Sequence, residues 1–331
     1  MGSSVIPEVV VLGAGKIGSA NDAVPTMTPL SHIGAILAVD GVHLKAVVDP
    51  SDTARTASSH LWEDRTSALF AQSIKALGDI SPNVVVLCTP TSSRERDALE
   101  ALKLSPNLLV VEKPLATSVE SARRILRAAE DAGVALLVNY NRRFDPSTTH
   151  FRSLFPGTPV SIVGRYGKGL ANYASHMVDL LGAWHGPVTG VQAISDSRAL
   201  DQDLSVSFRM RFESGPDAYV LSLDDLSYDQ FEIDFFFADR QMSYLAGGAE
   251  RQLRFAKPDI HYRGYKHLTV LPDETWHGQI GGFVELYGAI RDHFSEARPL
   301  EGCSGPDAIQ GLEVLEAVEE SSRKGGQVVR V

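Results

Sequence analysis

Two cysteines in 331 residues cannot staple a fold, so a disulfide scaffold is excluded. Cys88 ends the apolar run Val84-Val85-Val86-Leu87 and reads as a small buried hydrophobe, and nothing in the sequence supports a bond to Cys303. The chain also lacks a basic surplus: Lys plus Arg is 31 against 41 Asp plus Glu, a net charge of −10. Nucleic-acid binders and membrane-surface proteins show a basic face or stripe, so neither partner is expected. No apolar stretch is long enough to span a bilayer. Met-Gly-Ser-Ser-Val-Ile-Pro-Glu has neither a basic nor a long apolar region of a secretory leader. The expected location is the cytoplasm. There is no His-Glu-x-x-His and no paired Cys cluster, so no metal is expected. A Gly-x-Ser-x-Gly elbow is missing too, which argues against a serine hydrolase.

What is present suits an ordinary globular protein. Hydrophobic residues make up 44% and charged residues 22%, enough apolar material for a sizeable core. The length favours two domains, or one large α/β domain.

The first half alternates strand-like and helix-like segments. Val9–Leu12, His43–Asp49, Val84–Thr89, Leu108–Glu112 and Ala135–Asn139 are nearly continuous in apolar residues, as parallel strands covered on both faces must be. Arg94–Leu104 and Ser118–Ala132 carry helical patterns, the second with Thr117 or Ser118 as N-cap and Gly133 as stop. The pattern predicts an α/β fold with a doubly wound parallel sheet. The second half changes character. Leu204, Val206, Phe208, Met210 and Phe212 alternate with polar residues, as do Tyr219, Leu221 and Leu223, and then Phe231, Ile233, Phe235 and Phe237. Strands without helices between them predict an open, mostly antiparallel sheet with one covered face. Helices are expected at Thr275–Phe294 and Pro306–Arg323. The domains divide as 1–141 and 142–331, with the boundary near Asn141–Pro146.

Gly13-Ala14-Gly15-Lys16-Ile17-Gly18 follows the first strand. Glycines there let the backbone turn tightly and approach a pyrophosphate with no Cβ in the way. Asp49, at the end of the second strand, is placed to accept hydrogen bonds from an adenosine ribose. Its carboxylate would repel a 2′-phosphate, and no Arg follows within Asp49-Pro50-Ser51-Asp52, so NAD is favoured over NADP. The interval from Gly18 to Asp49 exceeds the usual ~20 residues. The excess is Ser19–Pro29, whose prolines cannot lie inside a regular helix. A short helical stub, a loop and a restart with Thr28 as N-cap and Pro29 at the first helical position are expected. Two readings stand: a tolerated surface insertion, or a loop beside the cofactor that helps shape the substrate pocket.

Side chains at the carboxyl ends of parallel strands face the ligand crevice. Glu112-Lys113-Pro114 ends one such strand, and a Lys there can stabilise an alkoxide during hydride transfer. Thr89-Pro90-Thr91 closes the preceding strand, and Asn139-Tyr140-Asn141-Arg142-Arg143-Phe144 follows the last. In Gly169-Leu170-Ala171-Asn172-Tyr173-Ala174-Ser175-His176-Met177-Val178-Asp179, a helix would put Asn172, His176 and Asp179 on one face.

In this order the motifs resemble the glucose–fructose oxidoreductase, inositol dehydrogenase and MocA family over essentially the whole chain. The resemblance implies a Rossmann domain, a second α/β domain with an open sheet, a nicotinamide cofactor and a polyol or sugar substrate. It also implies a homodimer or homotetramer packed through the open sheet. Lys113 matches the family's catalytic lysine, and His176 its general acid/base, a role suited to a pKa near neutrality. Asp179 matches a downstream acid that orients His176 or supports the helix, and Glu112 would sit near the nicotinamide ribose. The cofactor set is then Gly13, Gly15, Lys16, Ile17, Gly18, Asp49, Thr89, Pro90, Thr91, Glu112, Lys113 and Arg142. Candidate substrate residues are Tyr140, Tyr166, Lys168, Asn172, Tyr173 and His176.

The departure is Asn172, where inositol-dehydrogenase-like members generally carry Asp. Asn has no charge with which to stabilise an imidazolium, so His176 should have a lower pKa than with Asp there. Asn172 then binds a substrate hydroxyl or amide, Asp179 supplies the charge, or the chemistry is slow or lost. The expectation is an NAD-dependent oxidoreductase acting on a secondary alcohol or keto group of a sugar, nucleotide sugar or cyclitol. A redox-neutral elimination or hydrolysis through transient oxidation, and a non-catalytic dinucleotide sensor, are the alternatives.

Overall fold

A computed structural model describes residues 5–24, 26–200, 203–224, 226–277 and 281–331. In chain order the elements are β1 (Glu8–Leu12), α1 (His32–Ala38), β2 (His43–Val48), α2 (Asp52–Trp62), β3 (Leu69–Ala71), β4 (Val84–Leu87), α3 (Arg94–Leu102), β5 (Leu108–Glu112), α4 (Val119–Asp131) and β6 (Ala135–Asn139). There follow α5 (Pro146–Ser153), β7 (Ser161–Tyr166), α6 (Ser175–His185), β8 (Val188–Ala193), β9 (Arg198–Leu200), β10 (Asp203–Ser205), β11 (Phe208–Phe212), β12 (Ala218–Ser222), β13 (Phe231–Phe236), β14 (Arg240–Leu245), β15 (Glu250–Pro258) and β16 (Lys266–His277). The chain ends with α7 (Phe283–Glu296), β17 (Cys303–Ser304), α8 (Gly305–Arg323) and β18 (Val329–Arg330). The described residues form two compact units, one up to Pro146 plus Gly281–Ile309, the other from Ser147 to 277 plus Gln310–Val331.

The first unit is a sheet of order β17-β6-β5-β4-β1-β2-β3. Its strands are parallel except β17, which pairs antiparallel with β6. Every residue of β4 and β5 is buried, as their unbroken apolar runs require of strands with helices on both faces. The order reverses at β1, between β4 and β2, and such a switch point opens a ligand crevice at the strands' carboxyl ends. Helix α4 starts as expected: Ser118 Oγ accepts from Ser121 N at 3.2 Å, and Gly133 in the left-handed region (φ +67°) ends it.

Two boundaries differ from the sequence reading. Thr275 lies in β16, whose register pairs Trp276 with Arg251 and His277 with Glu250, so the expected helix begins only at Phe283. Leu286, Tyr287 and Ile290 of α7 are buried in one cluster with Ile33 and Ile36 of α1. That apolar stripe assigns 281–309 to the first unit, whereas the sequence reading gave everything after 142 to the second.

The second unit is a sheet of order β16-β15-β14-β13-β7-β12-β11-β8-β18, antiparallel except for the β12–β7 pair. One face is covered by α5, α6 and α8, through Phe151, Met177, Leu181, Val314 and Val318 packed on Ile162, Phe208, Ile233 and Phe235. Gly164 lets α6 approach closely: a Cβ there would lie 2.2 Å from Met177 Sδ. The other face is polar, with Arg165 paired to Asp234 at 2.7 Å and to Glu232 at 3.0 Å. The alternating run Leu204–Phe212 is broken between β10 and β11, where the Tyr166 hydroxyl takes over the backbone of Val206. Neither cysteine is in a disulfide. Among the described residues no helix is long and apolar enough to cross a membrane.

Candidate functional site

The glycine loop closes the gap between β1 and β4. Gly13 N donates to Val48 O at 2.7 Å, and Cys88 N to Leu12 O at 2.7 Å. Gly13 has φ +106°, and a Cβ there would stand 2.9 Å from the carbonyl of Cys88. At Gly18 a Cβ would meet Gly13 O at 2.0 Å, whereas at Gly15 it would meet nothing within 4 Å. Two glycines are therefore demanded by the backbone itself, and the third leaves a face open for a ligand. Asp49 joins this loop to the start of α2: its Oδ2 accepts from Ala14 N at 2.7 Å and its Oδ1 from Ser51 N at 2.8 Å. The fixed carboxylate keeps lone pairs able to accept from hydroxyl groups. Arg55, one turn into α2, donates to Asp49 O at 2.9 Å and pairs with Asp52 at 2.5 Å. Its charge is thus occupied, which agrees with a site for NAD rather than NADP.

The segment after Gly18 is a clamped loop. Its stub is a 3-10 turn at Ala20–Ala23. The Asp22 carboxylate accepts from Leu30 N at 2.7 Å, Ser31 N at 3.1 Å and Ser31 Oγ at 2.5 Å. Helix α1 restarts with Ser31 as N-cap, accepting from Gly34 N at 3.1 Å, not with Thr28 and Pro29 as the sequence suggested. Because His32 N and Ile33 N donate to Ile17 O and Gly18 O, α1 continues the turn that the insertion interrupts.

This restart delivers His32 into a buried polar cluster at the ends of the strands. His32 is fully buried, with Nδ1 2.7 Å from Tyr287 Oη and Nε2 2.9 Å from Glu112 Oε1. Asn139 Nδ2 donates to the same Oε1 at 2.6 Å. Burial favours the neutral imidazole, but Cys88 and Glu112 outweigh it and raise the pKa to about 10. Burial likewise opposes the Glu112 carboxylate, and His32, Asn139 and Arg94 overcome it, so its pKa stays below the ordinary value. Arg94, also buried, donates to Thr89 O at 2.6 Å and to Pro114 O, tying the end of β4 to the turn after β5. Half-buried Lys113 lies between Glu112 and the cis-bonded Pro114. The expected Thr89, Glu112, Lys113 and buried Tyr140 therefore all stand at the carboxyl ends of β4, β5 and β6, with Pro90 and Thr91 just beyond Thr89 and Arg142 just beyond Tyr140.

Sequence reasoning missed His32, Arg94 and Tyr287. The signals were faint: a His opening a helix behind a proline-containing insertion, and an Arg opening α3, where the helix dipole disfavours a cation.

In the second unit, Leu170–Ala174 is a single π turn running into α6. Asp203 holds its start, accepting from Ala171 N at 3.0 Å and Asn172 N at 2.9 Å. Gly169 (φ +91°) makes room, since a Cβ would lie 2.2 Å from the Asp203 carboxylate. Asn172 is exposed, His176 half-buried and Asp179 buried. The π turn therefore intervenes in the simple one-face spacing expected of an α-helix. Lys168 and Tyr173 come together on Asp229: Lys168 pairs with that carboxylate, Tyr173 Oη donates to it at 3.2 Å, and the Lys168 ammonium lies 5.4 Å from the Tyr173 ring centre. Tyr166 is corrected. It is fully buried, donating to Val206 O at 2.8 Å and accepting from Val206 N at 3.0 Å, so it braces the core and cannot face a substrate.

The residues of the first unit fit a dinucleotide. Besides the glycine cradle, Thr89 Oγ1 and Asn139 Oδ1 are buried at the ends of β4 and β6 without a partner among the described residues. Residues 8–140 match the family model described as an oxidoreductase family with an NAD-binding Rossmann fold. Inositol 2-dehydrogenase of Rhizobium meliloti is 32% identical over 146 residues, 44% of this chain and 38% of that protein. The 4-carboxy-2-hydroxymuconate-6-semialdehyde dehydrogenase of a Sphingobium strain is 22% identical over 67% of this chain and 72% of its own length. The WlbA dehydrogenase of Bordetella pertussis, crystallised with NADH and UDP-GlcNAcA, is similar in fold over 98% of both chains, with a TM-score of 0.73 at 20% identity. Residues 8–140 are therefore similar to the NAD-binding domain of the glucose–fructose oxidoreductase, inositol dehydrogenase and MocA family, and the first unit is an NAD-binding Rossmann fold.

Proposed function

We propose that the protein is an NAD-dependent oxidoreductase that moves hydride to or from a secondary alcohol or keto group of a sugar, nucleotide sugar or cyclitol. The observation that carries this reading is the position of Lys113 at the carboxyl end of β5, within a strand array that also carries the glycine cradle and Asp49. Sugar-like compounds in the names of an inositol dehydrogenase relative and of a neighbour holding UDP-GlcNAcA support the substrate class.

Gly13, Gly15 and Gly18 with Asp49 would hold the pyrophosphate and the adenosine ribose, and Glu112 the second ribose. Bound NAD supplies the hydride acceptor or donor. The Lys113 ammonium stabilises negative charge developing on the substrate oxygen. His176 takes the hydroxyl proton during oxidation and returns it during reduction. Asn172, exposed on the π turn, offers a substrate both a donor and an acceptor without adding charge. Lys168 and Tyr173, joined by Asp229, are substrate-binding candidates in the same unit. Copies of the chain would pack through the polar open face of the second sheet.

Purified protein, screened with sugars, nucleotide sugars, cyclitols and their keto forms at the reduced-nicotinamide absorbance band, should turn over at least one class. Lys113→Ala and His176→Ala should each lower kcat by about 10²-fold or more. No turnover across that panel by a protein that binds NADH would count against the enzymatic reading.

A further inference from the structure

The insertion Ser19–Pro29 and the cluster around Glu112 explain one another. The Asp22 clamp and the two backbone bonds back to Ile17 and Gly18 fix where α1 restarts, and the first residue of that restart is His32. Its ring is held on both sides, by Tyr287 of α7 and by Glu112 of β5, and the Phe283 ring meets it edge-on at 5.0 Å. Cys88 at the end of β4 also faces the imidazole, while Arg94 of α3 and Asn139 of β6 face Glu112. Among the described residues both hydrogen bonds to Glu112 end on Oε1. Oε2 is left as the oxygen able to accept from a ligand hydroxyl.

We infer that His32 is a positioning residue for the dinucleotide: as the buried cationic partner of Glu112, it holds that carboxylate in one orientation with Oε2 available to a ribose hydroxyl. Two consequences follow from the geometry. An imidazole clamped between a hydroxyl and a carboxylate, with both ring nitrogens bonded, is fixed in place before the ligand arrives. Because His32 and Glu112 are held as an ion pair, dinucleotide binding should change little between about pH 6 and pH 9. The insertion then serves the cofactor through His32, which neither earlier reading of it included. This inference rests on NAD binding by the first unit, and its tests separate the two.

In wild-type protein with ¹⁵N-labelled histidine, free of ligand, the His32 signals should report both ring nitrogens protonated at pH 8.5. A neutral imidazole at that pH overturns the inference. NADH fluorescence titrations at pH 6, 7.5 and 9 should give wild-type Kd values within about twofold of one another. His32→Gln removes the hydrogen-bonded counter-charge of Glu112 and leaves only Arg94 facing it, so the carboxyl should move up toward the range, and Kd should then tighten by about fivefold or more from pH 6 to pH 9. His32→Gln with Glu112→Gln should be level again. A single variant whose profile merely parallels wild type at weaker affinity overturns the inference. Should His32→Gln fail to fold, Tyr287→Phe removes only the acceptor at Nδ1. His32 then loses its proton more easily, and binding should weaken as pH rises above about 8. A level profile there overturns the inference as well. A wild type that binds no dinucleotide would instead overturn the cofactor reading, and this inference with it.

Discussion

Replacing Asp49 with Ser tests the cofactor site at a single carboxylate. Asp49 accepts from Ala14 N at 2.7 Å and Ser51 N at 2.8 Å, and in the proposed site its remaining lone pairs would accept from the adenosine ribose. A hydrogen bond to a charged group contributes about 1.5–3 kcal/mol, so loss of the ribose contact should weaken NADH by about 10- to 150-fold. The opposite holds for NADPH. Two unit charges about 6 Å apart at an effective dielectric of about 20 repel by about 3 kcal/mol before salt screening. Removing the carboxylate relieves that repulsion and exposes two backbone N–H groups able to donate to a phosphate. The NADH-to-NADPH preference should therefore shift by two orders of magnitude or more, reading about 1.4 kcal/mol as tenfold. Asp52→Ala on top of Asp49→Ser would release Arg55, now paired at 2.5 Å, toward the phosphate and extend the shift. Fluorescence titrations with both cofactors at physiological salt measure it, with a thermal melt to show the fold intact. A folded Asp49→Ser protein with unchanged NADH affinity and unchanged preference would reduce Asp49 to a brace of the loop and refute the reasoning.

Three further outcomes are expected. Gly18→Ala drives a Cβ to 2.0 Å from Gly13 O, so NADH binding should fall at least tenfold; unimpaired titration would show that the loop relaxes freely. Asp203→Ala strips the acceptor from Ala171 N and Asn172 N, which should cost about 1–2 kcal/mol of stability and lower kcat through the helix bearing His176, with Asp203→Asn recovering most of both; unchanged melting and rate would dismiss that role. His185 has its pKa depressed to about 4 by burial and, secondarily, by Arg152. The folded state therefore favours the neutral ring, and stability present above pH 6.5 is lost as pH falls from 6.5 toward 4, by at most about 3 kcal/mol and less for a half-buried ring. His185→Phe, suited to its neighbours Phe212 and Phe235, should flatten that acid limb in pH-dependent melts, and an unaltered limb would assign the loss elsewhere.

The parts of this molecule that a reader of sequence can find are those fixed by near neighbours. Leu108–Glu112 and Ala135–Asn139 stand in the structure with the same limits that their apolar runs suggested. Gly13 and Gly18 could be found because their own backbone leaves no room for a Cβ. Thr275–His277 went to a strand instead of a helix because β15 pairs with it, a choice that no local pattern records. Tyr166 was legible in principle. It shares the alternation of Ile162 and Gly164, all buried, and its hydroxyl drew it into the substrate list although a core tyrosine needs only one backbone group to satisfy it.

The same division runs through the functional groups. Lys113 and Asp49 take their places from the strand that each one follows, so position in sequence is enough. His32 takes its place from Tyr287, 255 residues away, and from Glu112, 80 residues away. The π turn before His176 takes its start from Asp203, more than 30 residues on. Such residues announce themselves only as local oddities. An imidazole or guanidinium at the first position of a helix opposes the helix dipole, and α1 and α3 both begin that way. Both turn out to carry buried cations whose partners lie at the ends of β4 and β5. A cation placed against the local electrostatics is held there by something distant, and in this fold the distant groups stand at the carboxyl ends of β4 and β5, where the proposed dinucleotide site lies.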